Sequence, residues 1–208
     1  VNNFGKVIVI EEDLVTSPYF LKYMNEALEF YENTEKVISI GGYVYPVKVE
    51  LPQTFFLRGA DCWGWATWKR GWDLFEPDGK YLLNELQKQT LTKQFDINGK
   101  YQFTEILRKQ TTGKNDSWAI RWHASAFLKE KLTLYPSISL VQNIGHDNSG
   151  ENCYTTTKYD TRLSLKPILI NNIPIEENIL ARKAVGEYFK SQIPNYLIYK
   201  LKTSVLGE

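Results

Sequence analysis

A chain of 208 residues, 43 % of them hydrophobic, is long enough to bury one sizeable core. Its 25 basic and 24 acidic residues leave a formal net charge of +1, which excludes a chain-wide field drawing it to nucleic acid or anionic lipid. Cys62 and Cys153 are its only cysteines, too few for a disulfide framework or a thiolate metal site, and both read as thiols without chemistry in a reducing compartment. No apolar run approaches the roughly 20 residues that a membrane-spanning helix needs, so the expectation is a soluble, cytoplasmic chain without a transmembrane segment.

In chain order, the β-branched run from Lys6 to Ile10 predicts a strand covered on both faces. It stops in acid at Glu11, Glu12 and Asp13. Ser17 and Pro18 then open a helix whose Phe20 or Leu21, Met24, Leu28 and Tyr31 recur at helical spacing. Val37 to Ile40, closed by Gly41 and Gly42, reads as a second buried strand, and a right-handed crossover makes it parallel to the first. Pro46 turns Val44 to Glu50 into an edge or a loop, and Thr54 to Leu57 reads as a strand. Trp65, Trp68, Trp72 and Phe75 then share the face of a predicted helix. After the turn at Pro77, Asp78 and Gly79 come helices over about 80–93 and 103–110, and Asp116 opens another through Leu128. Leu132 to Tyr135 and Ser139 to Val141 predict short strands, Asn143 to Asn152 a loop, and the stretch from Ile175 to Leu201 a helix with an aromatic and basic end.

Three adjacent carboxylates past the carboxyl end of a strand stand where open α/β sheets bind ligands. Crowding them costs Coulomb energy unless a cation is near, and carboxylate oxygens are hard ligands for Mg²⁺ or Mn²⁺, which fill their remaining positions with phosphate oxygens and water. The alternative is a solvated turn in which Asp13 favours the following helix start.

Together, Val7 to Leu14 (VIVIEEDL), Ser17 to Leu21 (SPYFL) and Ile38 to Tyr43 (ISIGGY) resemble the family 2-like glycosyltransferases related to N-acetylglucosaminyltransferase I. Gly59 to Phe75, with Trp63, Gly64 and Trp65, is similar to their acceptor-side segment. Asn115 to Trp118 resembles the place of their catalytic base, and Tyr135 and Pro136 followed by Leu140 to Gly145 resembles their closing loop. The resemblance implies an α/β chain with a partial GT-A fold, a mixed sheet with flanking helices, and an inverting, metal-assisted transfer from a nucleotide-sugar donor to a glycan or lipid-linked glycan. It also implies Asp13 as ligand of Mn²⁺ or Mg²⁺, Glu11 and Glu12 as supports for donor or metal, and Asp116 as the base. Residues 1–155 would then be the acceptor-side part of a catalytic domain and 156–208 an extension with a helix. Only Val1 to Gly5 precede the first strand, so the resemblance implies either that the nucleotide-binding strands lie outside this chain, which is the favoured reading, or that this copy is degenerate, and that it binds nucleotide weakly or not at all on its own. The role implied is cell-surface polysaccharide or lipopolysaccharide assembly, in the cytoplasm or at the inner face of the membrane. Glu12 stands where Asp is more usual, Ser117 where a second acid is common, and Asn152 where a histidine is expected.

Each candidate also has a plainer reading. Asp116 suits an N-cap as well as a base. One ring of Trp63 and Trp65, with Gly64 allowing close approach, platforms an acceptor sugar, whereas Trp68 and Trp72 suit a core. Asp61 either bonds a sugar hydroxyl or ends its strand. His146, beside Asp147, either reaches the metal or a phosphate or is solvated. His123 reads as structural, and Arg58 pairs with phosphate or with a surplus carboxylate. Two other function classes fit: a non-catalytic carbohydrate-binding module, from the tryptophans, and a metal-dependent phosphoryl hydrolase, which calls for further acids on neighbouring strand ends.

Overall fold

The computed structural model describes residues 1–146 and 156–206, with side chains as far as residue 192. A five-stranded mixed sheet forms its centre, from β1 (Lys6–Val9), β3 (Val37–Gly41), β4 (Thr54–Arg58), β5 (Trp65–Trp68) and β6 (Leu132–Pro136) in the spatial order β1-β5-β3-β6-β4. Helices flank both faces. A separate antiparallel ribbon pairs β2 (Leu14–Thr16) with β7 (Val141–Asn143).

The strands around Val7 and Val37 run in the same direction but are not neighbours. β5 lies between them, antiparallel to both, with Val9 and Gly41 each facing Trp65. β1 is therefore an edge strand, and its Val7, Ile8 and Val9 are half-buried rather than covered on both faces. β3 has the continuous burial expected of it at every residue.

The tryptophan segment is the largest departure from its periodicity. Trp65 to Trp68 is a strand, and only Lys69–Trp72 (α2) turns helical. Alternation along β5 sends Trp65 to one face and Trp68 to the other. Trp68 donates from Nε1 to the Leu28 carbonyl at 3.1 Å and packs against α1 (Phe20–Phe30), whose Phe20, Tyr23, Met24, Ala27 and Leu28 are buried. Trp65 joins Trp72, Trp118 and Trp122 on the opposite face, with centroids 5.7 to 5.9 Å from its own. Hydrogen bonding to both β1 and β3 outweighs helix propensity there, because so short a segment carries little helical stability of its own.

Helices α3 (Gly79–Lys88), α4 (Thr92–Phe95), α5 (Phe103–Thr111) and α6 (Trp118–Leu128) form a lobe around Leu82, Leu86, Phe95, Leu107, Ile120 and Phe127. The cap of α6 is Ser117, whose Oγ accepts from Ile120 N at 3.3 Å, and not Asp116. We expect Ser117→Ala to lower stability by about 1 kcal/mol in urea unfolding and Asp116→Ala to leave it nearly unchanged; the reverse order would put the cap back at Asp116.

The described chain after residue 155 returns to the central body. Ser164 N donates to the Ser139 carbonyl at 2.9 Å, Tyr31 Oη to the Asn171 carbonyl at 3.1 Å, and Asn178 N to the Phe56 carbonyl at 2.8 Å, while Ile168 enters the core under α1. α7 (Ile179–Leu206) then runs along the molecule, with Ala181, Ala184, Val185 and Phe189 buried. Among the described residues no helix is long and apolar enough to cross a membrane.

Candidate functional site

The acidic triplet occupies a tight turn between β1 and β2, closed by Leu14 N donating to the Glu11 carbonyl at 3.2 Å. A three-residue strand therefore separates the acids from α1. The register of the ribbon decides what faces them. Leu14 opposes Asn143, which brings Ile144 N to the Asp13 carbonyl at 2.8 Å and Asn143 Nδ2 to Asp13 Oδ2 at 2.9 Å. A Cβ on Gly145 would lie 2.5 Å from Asp13 Oδ2, so the turn after β7 holds this carboxylate by close backbone approach.

One oxygen of Asp13 is thus fixed, and the other, Oδ1, is buried without a hydrogen-bond partner among the described residues. Nδ1 and Nε2 of His146 are in the same condition. Burial, assisted by the nearby Lys158, pushes the His146 pKa down against the opposing pull of Asp13, so its imidazole is neutral and able to act as a ligand. Glu11 has its pKa raised by burial first and by the charges of Asp13, Glu12 and Asp61 after that. Four carboxylates, Glu11, Glu12, Asp13 and Asp61, thus share one field here.

Asp61 reaches this cluster from the turn after β4. Gly59, at φ +106°, bends the chain away from the sheet, and Ala60 is then pinned by His123, whose Nδ1 lies 2.8 Å from the Ala60 carbonyl and 3.2 Å from its amide. Cys62 N donates to Asp61 Oδ1 at 2.7 Å, and the Trp63 amide and the Tyr135 hydroxyl are within bonding reach of the same carboxylate. Burial raises the Asp61 pKa against those three donors. It also raises the Cys62 thiol far above its usual range, with Asp61, Glu11 and Asp13 adding to the effect, so this sulfur stays protonated. His123, pushed down to about 4 by burial, is a neutral structural group, as its sequence context suggests.

Asp61, Cys62, Trp63, Tyr135 and Tyr159 line a cavity of about 230 Å³ that extends to Ser117 and His123 on α6. Trp63 is half-buried at its mouth, and its ring packs edge-on against Tyr43 at 4.8 Å, Tyr159 at 5.2 Å and His146 at 5.6 Å. Trp65 is not part of this wall. Only 3 % exposed, it belongs to the tryptophan cluster in the core, so of the two rings flanking Gly64 only Trp63 can meet a ligand. Gly64 serves close approach of backbones: at φ +55°, a Cβ there would stand 2.6 Å from Val141 Cγ1, and its carbonyl accepts from Gly42 N at 2.8 Å.

Asp116 stands apart from the cluster. Its side chain is fully exposed, 3.7 Å from the Arg121 guanidinium, and it does not line the cavity, although its neighbour Ser117 does. Arg58 lines the same cavity, where its guanidinium is held by the Phe127 carbonyl at 2.8 Å with Glu130 and Glu177 nearby, so it pairs with carboxylates as its second reading expects. The positions singled out at Asp147, Asn152 and Cys153 lie outside the described residues.

Among the described residues no three His, Cys, Asp or Glu side chains converge as a metal cage. The orphaned Asp13 Oδ1 and His146 nitrogens nevertheless fit a divalent cation that takes its other ligands from phosphate and water. Sequence reasoning missed Asn143 and Tyr135, the two groups that hold the carboxylates in place, because neither residue type in a strand signals a partner more than 70 positions away. In comparison with known proteins, the chain matches no protein-family model and no curated protein, so the chemistry of the site is read from these residues alone.

Proposed function

We propose that this cavity transfers a sugar from a nucleotide-sugar donor to a hydroxyl of a glycan acceptor, with inversion, on a partial GT-A fold. The observation that carries the reading is that one buried Asp13 oxygen and both nitrogens of His146 lack hydrogen-bond partners among the described residues, with Asp13 near enough for its charge to act on His146. Asp13 and His146 would hold Mn²⁺ or Mg²⁺, which when bound supplies positive charge where the diphosphate leaving group develops its negative charge. Glu11 and Glu12 orient donor or metal-bound water at the same turn, and Trp63 gives the acceptor an apolar face.

The acceptor hydroxyl oxygen forms its bond to the anomeric carbon while the bond from that carbon to the diphosphate oxygen breaks. The hydroxyl proton passes to a carboxylate. Asp61 suits that role better than Asp116, because it lines the cavity, is held by three donors, and has a proton affinity raised by burial. The phosphoryl-hydrolase alternative gains Asp61 as a further acid beside the triplet, but the end of β3 offers it Gly41 and Gly42 instead of acids.

Titration of the chain with Mn²⁺, alone and with a panel of nucleotide-sugars, tests the reading by calorimetry. Donor binding is expected to require the metal, and Asp13→Ala is expected to weaken Mn²⁺ affinity at least about tenfold. Donor binding indifferent to both metal and Asp13 overturns it. Glycan binding that survives Asp13→Ala in the absence of any metal or donor effect would instead mark a carbohydrate-binding module.

A further inference from the structure

A second cavity, of about 270 Å³, opens on the far side of Tyr101, Ile106, Tyr159 and Phe189, four residues that line it and the Asp61 cavity alike. It is completed by Gln102 at the start of α5 and by Tyr188 and Gln192 on α7. The two spaces therefore share this wall, with Asp61 and Glu177 lining the first and the carboxamides of Gln102 and Gln192 lining the second.

The chemistry of the outer chamber is specific. No carboxylate lines it among the described residues, and its two lysines are engaged: Lys100 pairs with Glu187 at 2.6 Å, and the Lys158 ammonium rests over the Tyr159 ring, 4.4 Å from its centroid. A wall with committed cations is poorly suited to phosphate or to a polyanion. What it offers is aromatic rings next to two primary amides, each amide providing both a donor and an acceptor. A pyranose presents the matching pattern, a C–H face for a ring and vicinal hydroxyls for amides. The rings are also held in advance. Tyr188 donates its hydroxyl to the Lys158 carbonyl, and its ring lies 5.6 Å from that of Tyr45, while Tyr101 lies 4.1 Å from Phe189. A wall ordered before the ligand arrives spares the ligand the entropy of ordering it.

We propose that this outer chamber is a second acceptor subsite, which takes the sugar one unit removed from the one whose hydroxyl reacts, so that the acceptor is an oligosaccharide and not a single sugar. The proposal rests on the glycosyl-transfer reading of the inner cavity for what it calls the acceptor. Its physical content is a glycan cleft of two chambers.

Tryptophan fluorescence titration of the chain, with mono-, di- and trisaccharides of glucose, galactose, mannose, rhamnose and N-acetylglucosamine, tests it. At least one disaccharide is expected to bind ten or more times tighter than its constituent monosaccharide. The double variant Gln102→Ala/Gln192→Ala, which alters side chains at the surface and leaves the packing in place, is expected to bring that ratio to within about twofold of one and to leave monosaccharide affinity unchanged. Tyr188→Ala, checked for folding by circular dichroism, is expected to do the same. Equal affinity for mono- and disaccharides, survival of the ratio in the double variant, or binding of no sugar in the panel overturns the proposal. Its failure is separable from failure of the transfer reading. Metal-dependent donor binding without a disaccharide gain removes the subsite alone, and a disaccharide gain without any metal or donor binding keeps the cleft and removes the transfer.

Discussion

Asp61→Asn is expected to lower kcat for sugar transfer by about 10²- to 10⁴-fold, the range a positioned proton acceptor contributes, while Asp116→Asn leaves it near the wild-type value. The contrast follows from placement. The Asp61 carboxylate lines the cavity and is oriented by Cys62 N, Trp63 N and the Tyr135 hydroxyl, whereas the Asp116 side chain is fully exposed and shares its charge with Arg121. The pH profile carries the same signature. Burial raises the Asp61 pKa, so the basic form accumulates only above the ordinary aspartate range, and the acid limb of kcat should lie above that range and vanish in Asp61→Asn. A raised carboxyl pKa also means that ionised Asp61 costs the folded state stability once the pH exceeds the unfolded pKa. At neutral pH the asparagine variant should therefore be no less stable than the wild type, and lost activity cannot be assigned to unfolding. Retained transfer in Asp61→Asn together with loss in Asp116→Asn would return the base to Asp116.

Gly59→Ala is expected to cost about 2–6 kcal/mol in chemical denaturation, the sum of a left-handed backbone forced on alanine and an overpacked contact. Its φ is +106°, and an added Cβ would lie 2.4 Å from His123 Cε1 and 2.6 Å from Nδ1. The imidazole has no room to yield. It is tied to the Ala60 backbone and flanked by Phe103 at 4.5 Å and Phe95 at 5.1 Å between ring centroids. Because Gly59 starts the turn that delivers Asp61, the variant should lose Asp61-dependent transfer even at temperatures where it remains folded. A loss of stability below 1 kcal/mol would show that the turn relaxes freely and that the conformation at Gly59 does not fix Asp61.

How far these features can be read from sequence depends on the range of the forces that set them. The acids at 11–13, α1, β3, β4 and most helices of the middle third follow from local pattern: β-branched runs, apolar residues at helical spacing, and Gly and Pro at ends, whereas the cap of α6 at Ser117 instead of Asp116 does not. Periodicity misleads where partners compete with it. Trp65 and Trp68 satisfy a helical spacing and a strand alike, and pairing with β1 and β3 selects the strand. Composition likewise describes Lys6 to Ile10 as a doubly covered strand, yet burial on the second side depends on which strand arrives next to it, and that strand is β5 on one edge alone.

By itself, then, the sequence determined a mixed α/β chain with a carboxylate turn after its first strand and aromatic residues in abundance, because strand and helix propensities and charge crowding act over a few residues. The tertiary structure alone decided which of those groups come together. Asn143 reaches Asp13 through a register 130 residues apart, Tyr135 reaches Asp61 across the sheet, and Trp65 turns inward while Trp63 lines the cavity. Those contacts depend on strand pairing and close packing between distant segments, which no local pattern specifies.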